Sequence, residues 1–570
     1  MVLQGIGASA GIGIGRVARL CEQSLDYSAV QYAGKQAERE RLKRAMETFD
    51  GETRRLAQSV RERVGAKEAE ILTGQITMLS DPYMQSQMEE LIDGGQCAES
   101  AVDAVCGMYI EMFAGVEDEM MRQRATDVRD IRSRMLGLLL GVRQVDVAAL
   151  PAGTVLAARD LTPSMTVGLQ PKNIAAILTE VGGKTSHSAI LARALQLPAV
   201  LSIPGVLEKV QEGALAIVDG DEGLALLDPD ERSLAEYTRR QEAQKARLAL
   251  LDAYRARPTQ DADGNRYALY ANIGSLAESQ AAADAGAEGI GLFRTEFLFM
   301  GRAALPSEEE QYEAYREVAE RMQGREVIIR TLDIGGDKDV PYLHMEREQN
   351  PFLGHRAIRY CLDRPEVFRV QLRALLRAGA ARGNIKLMLP LVTSVEEVRA
   401  AKALLAGCKA QLLAEGMPCD EAMQVGVMIE TPAAALIADL LAQETDFFSI
   451  GTNDLVQYTM AVDRGNAMVE KLYSPFHPAV LRSIRSVIAA AKRAGIPVGM
   501  CGEAAADPCM APLLLAFGLD EFSVSASAVL PTRRNIAAWH IEDARRVAEE
   551  AMGLSGAGGI EGYLKAAARA

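Results

Sequence analysis

The sequence predicts a multidomain α/β protein, in which an α/β domain with an inserted helical bundle is followed by a (β/α)8 barrel. Three observations support this fold class. The chain has 570 residues, more than one hydrophobic core usually spans. Its first part changes abruptly from β-rich to helical character and back, and its second part contains eight short apolar runs, most of them followed by a helical segment.

Composition and charge exclude several classes of protein. Apolar residues make up 49% and charged residues 24%, as in ordinary globular domains. The net charge of -15 disfavours a nucleic-acid binder and suits a basic protein partner. No uncharged apolar stretch reaches about 18 residues, so we expect no membrane insertion and a cytoplasmic location. The eight cysteines are scattered without a CxxC pair, which supports neither a zinc site nor a disulfide framework.

The first domain is predicted from two separate segments. Residues 1–20 contain a strand and a glycine-rich loop too short to fold alone, while residues 144–230 contain β-rich runs between Gly, Pro and Asp turns. We expect these two segments to form one α/β domain. Residues 21–143 space apolar residues three and four apart among charges, which is typical of an antiparallel helical bundle. The charged helical run of residues 231–260, ending near Pro258, is predicted to be a linker helix.

Residues 261–570 are predicted to form the barrel. Its candidate strands are YALYANI, GIGLFRT, EVIIRTL, IKLMLPLV, VGVMIET, FFSIGT, PVGMCG and EFSVSA. A doubly wound open sheet is the alternative. In a barrel, active-site residues follow the carboxyl ends of the strands. Polar residues stand at or just past the ends of six runs, which favours the barrel: Asn272, Arg294, Arg330, Glu430, Asn453 with Asp454, and Cys501.

The charged residues at these strand ends predict an anionic ligand. Arg294, Arg330 and Arg464 come from separate segments, and guanidinium groups bind carboxylate and phosphate in bidentate fashion. Glu430 and Asp454 offer two hard oxygen ligands, which suit Mg²⁺ together with a substrate phosphate. Any one of these charges alone would be expected on a solvated surface. Their joint placement predicts a site for a small phosphorylated acid.

A histidine and a cysteine each admit two interpretations. His187 follows a Gly-Gly turn and precedes the apolar run SAILARAL, so it stands at a predicted helix N-terminus. Backbone N–H groups there favour an anion, and the histidine could accept a phosphoryl group. A histidine that only caps the helix is the alternative. Cys501 could likewise serve the site or only pack within an apolar strand.

Several long strings resemble one family. GGKTSHSAILAR resembles the phosphohistidine motif of the phosphoenolpyruvate-utilising enzymes, and FRTEFLFM, RTLDIGGDK, NPFLGHRAIR, VMIETPAAA, FFSIGTNDLVQYTMAVDRGN and GMCGEAA are similar to their substrate barrel. Their order and spacing are similar to enzyme I of the bacterial phosphotransferase system over essentially the whole chain. The resemblance implies transfer of the phosphoryl group of phosphoenolpyruvate to a histidine and then to the histidine phosphocarrier protein, releasing pyruvate, as the first step of sugar uptake.

The resemblance also implies a role for each matching residue. It makes His187 the residue phosphorylated at Nε2, with Thr166 bonded to its ring, and makes Cys501 the acid that protonates the enolpyruvate carbon. Glu430 and Asp454 would hold Mg²⁺. The implied substrate-binding residues are Arg294, Arg330, Arg356, Asn453, Asp454 and Arg464.

The resemblance further implies partners and a motion. The carrier would dock on the helical insertion, centred on Glu68 to Asp81, and the barrel would form a homodimer. The histidine domain would swing between barrel and carrier. Gln75 stands in the docking helix where some relatives have histidine.

Two alternative functions remain open at this stage. A dikinase or synthase shares the histidine motif and the barrel, but it needs a nucleotide-grasping domain where this chain has a helical bundle. A protein that binds phosphoenolpyruvate without turnover is the second, and the presence of both His187 and Cys501 argues against it.

Overall fold

The structure is a computed structural model with two compact units, Met1–Leu248 and Ala249–Ala570. It describes the chain except for residues 21–24, 64–65, 116–118, 143–149, 162–164, 166–171, 184–185, 196, 301, 303, 336–339, 344, 346–347, 467 and 569–570. Within the described residues, the longest helices are too polar to serve as membrane spans.

The first unit is built on an eight-stranded mixed sheet with the spatial order β1-β8-β7-β3-β4-β5-β6-β2. Strands β3, β4, β5 and β6 run parallel, and the remaining pairs are antiparallel. Apolar clusters cover both faces of the sheet. The strands are β1 Val2–Gln4, β2 Ile6–Ser9, β3 Ile12–Leu20, β4 Thr154–Ala158, β5 Ile174–Thr179, β6 Ala199–Leu201, β7 Leu215–Asp219 and β8 Leu224–Leu227.

The pairing of β3 with β4 shows how the helical segment is inserted. These parallel neighbours are joined in sequence by the whole helical segment. Gly13 and Gly15 let β3 lie close to its neighbours, since a Cβ there would stand 2.2 and 2.0 Å from carbonyl oxygens of Ala175 and Gly153. The opening glycine-rich strand therefore belongs to the later α/β segment, and the predicted fold class is confirmed.

The inserted helices pack around a core of their own, which contains Phe49, Met88, Ile92 and Ile131. The described helices of the insertion are α1 Lys35–Arg63, α2 Ala66–Leu79, α3 Pro82–Asp93, α4 Ala98–Ala114 and α5 Glu119–Leu140. Three more follow in the first unit and its junction with the second: α6 His187–Ala194, α7 Val206–Lys209 and α8 Glu231–Asp252. The last ends at Asp252, before the predicted stop at Pro258.

All eight predicted strands of the second unit form a closed parallel barrel, in which β16 returns to pair with β9. An open doubly wound sheet is thereby excluded. The strands are β9 Ala268–Ile273, β10 Ile290–Arg294, β11 Val327–Arg330, β12 Ile385–Leu389, β13 Val425–Ile429, β14 Phe447–Ile450, β15 Val498–Met500 and β16 Glu521–Ser525.

The described helices of the second unit surround this barrel in the usual βα order. They are α9 Leu276–Asp284, α10 Glu308–Arg321, α11 Ile358–Asp363, α12 Pro365–Gly379, α13 Val395–Ala414, α14 Pro432–Leu436, α15 Ala438–Leu441, α16 Thr452–Met460, α17 Pro478–Ala494, α18 Ala511–Phe517, α19 Val529–Ala537, α20 Ile541–Met552 and α21 Ala557–Ala567.

Strand alternation determines which side chains reach the barrel mouth. A small buried cluster that includes Ile328 and Met428 is separate from the large core between strands and helices. Side chains two residues apart in a strand point to the same face. Arg330 and Glu430 stand two residues beyond Ile328 and Met428, so they continue the inward row at the carboxyl end of the barrel.

Candidate active site

Six predicted site residues stand where barrel strands end. Two are the last residues of β10 and β11, two directly follow β13 and β15, and two lie in the first turn of α16 after β14. In this order they are Arg294, Arg330, Glu430, Cys501, Asn453 and Asp454. The structure therefore brings these six residues to one rim of the barrel, as the sequence predicts for an active site.

Arg330 is held in a buried ion network. Its guanidinium lies 2.6 Å from Oε1 of Glu296 and 2.9 Å from Oδ2 of Asp333. All three side chains are buried. Burial alone would lower the pKa of Arg330, but the charges of Glu296, Asp333 and Glu430 outweigh this effect and raise it. The guanidinium therefore remains charged although it is removed from water.

Asp333 joins a second arginine to this network. Its Oδ1 accepts hydrogen bonds from Nη2 of Arg356 at 2.6 Å and from Nε at 3.1 Å. Nη2 of Arg356 also lies 3.8 Å from Oδ2 of Asp454. Burial lowers the pKa of Arg356, whereas the charges of Asp333 and Asp454 raise it by more. One carboxylate thus fixes two permanently charged side chains beside each other.

The backbone that carries Arg356 is strained. Ala357, the next residue, has φ 53° and ψ −129°, a backbone conformation that residues other than glycine rarely adopt. Such a conformation costs about 1–3 kcal/mol and persists only where surrounding contacts impose it. The ion pair to Asp333 is one such contact, so the loop holds Arg356 in a defined position.

Glu430 and Asp454 supply two buried carboxylates. Oε1 of Glu430 accepts the Leu391 N–H at 2.6 Å, and a Cβ at Gly451 would stand 2.9 Å from its Oε2. Burial raises the pKa of Glu430 to about 8, and the charges of Asp454 and Asp333 act in the same direction, while Arg330 and the Leu391 N–H oppose them. The ionised form of Glu430 is therefore only partly stabilised by Arg330 and the Leu391 N–H.

The donor set fits a divalent cation that retains other ligands. Four carboxylates, those of Glu296, Asp333, Glu430 and Asp454, face two buried guanidinium groups in this network. In the described part of the chain, no three or more acidic, cysteine or histidine side chains are grouped so that they could enclose a metal. Mg²⁺ is commonly bound by one or two carboxylates plus substrate phosphate and water. Glu430 and Asp454 match that arrangement.

Two arginines at the rim are more exposed. Nη2 of Arg464 lies 3.9 Å from Oδ1 of Asp454, and its side chain is 45% exposed. Arg294 lies against Gly274, where a Cβ would stand 2.7 Å from Nη2, and it pairs with no carboxylate among the described residues. Asn453 exchanges hydrogen bonds with Glu503, accepting its N–H at 3.1 Å. Arg294 can therefore bind an anion without first losing a carboxylate partner, and Arg464 has only a long carboxylate contact, that with Asp454, to give up.

Cys501 is both buried and at the mouth. It belongs to the inner cluster with Met388, Met428 and Phe447, and its Sγ lies 3.8 Å from the Ile450 carbonyl oxygen. Burial raises the pKa of the Cys501 thiol to about 12. The side chain is therefore a neutral thiol that retains its proton at ordinary pH.

Glu296 and Asp333 are site residues that the sequence analysis missed. Each follows a strand-end arginine within three residues, Glu296 after Arg294 and Asp333 after Arg330. A strand-end arginine with an acidic residue two or three positions further on was therefore an available signal. Their partners could not be read from that pattern, because Glu296 pairs with the arginine of the neighbouring strand.

His187 occupies the predicted position at a helix N-terminus, as the first residue of α6. The capping residue is Ser186, whose Oγ accepts the Ala189 N–H at 3.3 Å. The N-cap position is thus occupied by the serine, and His187 is the first residue inside the helix. Thr166 lies outside the described residues.

The chain is similar to proteins of one enzyme family along its whole length. Family models match in three segments: PEP-utilising enzyme, N-terminal, at residues 4–124; mobile domain, at residues 150–223; and PEP-binding domain, at residues 249–541. Curated relatives carry the name phosphoenolpyruvate-protein phosphotransferase. The protein from Geobacillus stearothermophilus is 45% identical over 99% of this chain and 97% of its own, and that from Bacillus subtilis (strain 168) is 42% identical over 99% of both.

Solved structures of similar sequence cover part of the chain. The NMR solution structure of Enzyme I (nEIt) is 31% identical and covers 43% of this chain and 99% of its own, with a TM-score of 0.36. The N-terminal domain of Enzyme 1 - Nitrogen is 28% identical and covers 42% of this chain and 98% of its own, with a TM-score of 0.30.

Proposed function

The chain belongs to the phosphoenolpyruvate-protein phosphotransferases, and we propose that its barrel mouth binds phosphoenolpyruvate while His187 receives the phosphoryl group. The enzyme transfers phosphate from phosphoenolpyruvate through a histidine in the first step of the phosphotransferase system. The observation that carries the assignment to these residues is the buried network of Arg330, Asp333 and Arg356 beside Glu430. The reported relatives match nearly the whole chain, which favours this activity over a dikinase.

The substrate is a small molecule with a phosphate and a carboxylate, and four arginines are available to bind it. Arg330 and Arg356 are fixed by Asp333, while Arg294 and Arg464 stand at the rim. Planar guanidinium groups bind both anionic groups in bidentate fashion. We assign Arg356 to the phosphate. Asn453 would add a neutral hydrogen-bond donor once its amide group turns from Glu503 to the substrate.

Enzymes that use phosphoenolpyruvate in this family work with a metal ion, and we propose Mg²⁺ for this chain. Glu430 and Asp454 would hold it. The support is that Glu430 and Asp454 follow adjacent strands, and that the charges of Asp454 and Asp333 act against ionisation of Glu430, an effect that a bound cation would offset. When bound, the ion would offset charge on the phosphoryl oxygens. The arginines would act on the same oxygens from the other side.

Cys501 is proposed to protonate the enolpyruvate carbon after the phosphoryl group has left. A proton donor for a carbon must hold its proton until the enolate forms, and a buried thiol with a pKa near 12 does so. The proton would move from Sγ to C3 of the enolate, leaving a thiolate and pyruvate. The inward position of Cys501 would direct the proton to one face of the double bond.

His187 is proposed to accept the phosphoryl group at Nε2 and to pass it to the carrier. Its place at the start of α6, with the cap already made by Ser186, supports this role. Thr166 is proposed to bond to the ring. His187 belongs to the first unit and the substrate residues to the second, so transfer requires the histidine to visit the barrel and then to leave it.

A carrier of the phosphocarrier type is the phosphoryl acceptor, and we propose that it docks on the helical insertion around Glu68 to Asp81. Support comes from exposed apolar side chains of the insertion, one of them two residues beyond this stretch and two on α4. Tyr83, Met108 and Met112 are 67%, 46% and 52% exposed. Exposed apolar groups flanked by acidic residues suit a basic protein with an apolar contact surface.

A homodimer through the barrel is proposed from a second group of exposed apolar residues. Leu353, Leu436 and Met468 are 65%, 84% and 81% exposed. The Tyr458 hydroxyl donates to the Phe352 carbonyl at 2.5 Å, which fixes the segment of Leu353 to α16. We propose a cytoplasmic location because the substrate is an intermediate of central metabolism.

The experiment for this function is mass spectrometry after mixing the chain with phosphoenolpyruvate and Mg²⁺. One acid-labile phosphoryl group should appear on the wild type and none on His187→Ala, which should still bind phosphoenolpyruvate in calorimetry. His540→Ala is the matched control, since His540 pairs with Asp263 at 2.7 Å on the outside of the barrel unit. Phosphoryl uptake by His187→Ala would show that another residue is the acceptor.

A further inference from the structure

The helical insertion contains a buried polar network that the phosphoryl chemistry does not use. Thr53 on α1, Gln75 on α2, and Asp130 and Arg134 on α5 are 0%, 0%, 2% and 5% exposed. At this point in the insertion, the helices α1, α2 and α5 therefore meet through polar side chains. Gln75 lies on the otherwise apolar buried face of α2, between the positions of Leu72, Ile76 and Leu79.

Hydrogen bonds connect these residues in one chain. Nη2 of Arg134 donates to Oγ1 of Thr53 at 2.8 Å, and its Nη1 lies 3.5 Å from Oε1 of Gln75. Nε2 of Gln75 donates to Oδ2 of Asp130 at 3.0 Å. The guanidinium also stacks on the ring of Phe49, 4.1 Å from its centroid. The Gln75 amide thus stands between a buried cation and a buried anion.

The amide has one orientation that satisfies both neighbours. Its oxygen must face Arg134 and its nitrogen must face Asp130, because a carboxylate accepts and a guanidinium donates. Among the described residues, no carboxylate lies within the 4.0 Å ion-pair distance of Arg134. A rotation or a one-residue shift of α2 would therefore break the bonds of the buried Gln75 amide to Asp130 and Arg134, at about 1–3 kcal/mol each.

We propose that the network of Thr53, Gln75, Asp130 and Arg134 fixes the rotation and register of α2, and thereby positions the surface on which the phosphocarrier docks. The inference rests on the proposed docking at Glu68 to Asp81. A polar residue in an apolar interface is a known means of specifying helix register.

The end of α2 connects this register to the docking surface. Asp81 lies two residues after the end of α2 and caps α3, where its Oδ1 accepts the N–H groups of Tyr83 and Met84 at 2.9 and 3.1 Å. The exposed Tyr83 is therefore held by a residue that stands two positions beyond α2. On α2 itself, Thr73 and Thr77 are exposed opposite Gln75. A shift of α2 would move both parts of the surface together.

The test exchanges the two polar ends of the Gln75–Asp130 bond. Gln75→Glu places two carboxylates against each other, whereas the double variant Gln75→Glu/Asp130→Asn restores one donor and one acceptor with the original net charge. We expect Gln75→Glu to raise the KM for a purified histidine phosphocarrier protein about tenfold, and the double variant to recover most of it. The rate of phosphoryl uptake from phosphoenolpyruvate should remain that of the wild type in all variants.

Two controls separate positioning from stability. Glu38→Gln weakens another buried site of the insertion, where Glu38 accepts the Ala98 N–H at 3.0 Å and pairs with Arg41, and it should lower the Tm without changing KM for the carrier. Gln75→Met retains the side-chain volume and should raise that KM even if Gln75→Glu does not fold. The inference would be overturned if Gln75 variants lowered the Tm with an unchanged KM, or if the double variant showed no recovery. Failure of the wild type to phosphorylate any carrier would refute the proposed function itself.

Discussion

The barrel mouth and the helical insertion both bury arginines and carboxylates, but they satisfy them differently. In the insertion, the Gln75 amide lies between Arg134 and Asp130 and leaves each with a partner. At the mouth, Nε of Arg330 is buried without a hydrogen bond among the described residues, and burial together with the charges of Asp454 and Asp333 disfavours the ionised form of Glu430. This difference fits a positioning role for the network around Gln75 and a ligand-binding role for the network around Arg330.

The largest effect is expected at the proposed metal ligands. Glu430→Gln and Asp454→Asn should each lower the rate of phosphoryl uptake about a thousandfold or more and abolish its dependence on Mg²⁺, because one of two carboxylates is lost. Single-turnover labelling across a Mg²⁺ titration would measure this. Glu38→Gln in the insertion should leave the titration curve unchanged. A wild-type response to Mg²⁺ in both mouth variants would place the metal site elsewhere.

Cys501→Ala is expected to slow pyruvate formation at least about a hundredfold, because a positioned proton donor contributes on this order. The reaction in D₂O with substrate stereospecifically labelled at C3 should then lose its facial selectivity, since water supplies the proton. Cys106→Ala is the matched control, a cysteine buried in the core of the insertion. Equal selectivity in wild type and Cys501→Ala would return Cys501 to a packing role.

Asp333→Asn tests the bridge between two arginines. An asparagine keeps the shape of the side chain but has no charge and only one oxygen, so it cannot accept hydrogen bonds from both Arg330 and Arg356 as the carboxylate does. We therefore expect kcat/KM for phosphoenolpyruvate to fall about tenfold to a hundredfold. Asp103→Asn provides the comparison in the insertion, where Asp103 bonds to Arg132 and Tyr27. That variant should leave kcat/KM for phosphoenolpyruvate unchanged. A similar loss in both would mean that the effect reflects general stability.

Mg²⁺ should distinguish the two regions in thermal unfolding as well. A cation bound at Glu430 and Asp454 offsets their mutual repulsion and stabilises the folded barrel, by about 2.7 kcal/mol at a concentration a hundred times its Kd. We expect the calorimetric transition of the barrel unit to move to higher temperature with added Mg²⁺. The transition of the first unit should not move, because its buried network already has its partners. Equal shifts would contradict the proposed site.

The sequence was sufficient for the barrel because periodicity and strand ends are local properties. Eight apolar runs became eight strands, and Arg330 and Glu430 stand where those runs end. Partner choice is tertiary and could not be predicted. Asp333 joins Arg330 to Arg356 across a loop, and α8 ends early where Arg533, distant in sequence, donates to the carbonyls of Tyr254 and Arg255 at 3.1 Å each.

The smallest expected effect concerns a carboxyl group of the insertion that has no cation to neutralise it fully. Burial raises the pKa of Asp127 to about 7, and Asp130 acts in the same direction, although Arg124 lies 3.7 Å away. The ordinary pKa of an unfolded aspartate is about 3.9. Between these values the folded state binds a proton that the unfolded state lacks, so the free energy of unfolding falls as pH rises from about 4 to about 7 and is constant above it.

Chemical denaturation of the first-unit transition at acidic and mildly alkaline pH would measure this slope, with an expected loss of up to about 4 kcal/mol because each pKa unit corresponds to about 1.36 kcal/mol. Asp127→Asn should remove most of the slope and stabilise the insertion at alkaline pH, since a neutral amide replaces the costly buried charge. Mg²⁺ should leave the slope unchanged, in contrast to its effect at Glu430. A slope abolished by Mg²⁺ would mean that the insertion also binds the ion, and the distinction between a satisfied network and a ligand site would no longer separate the two regions.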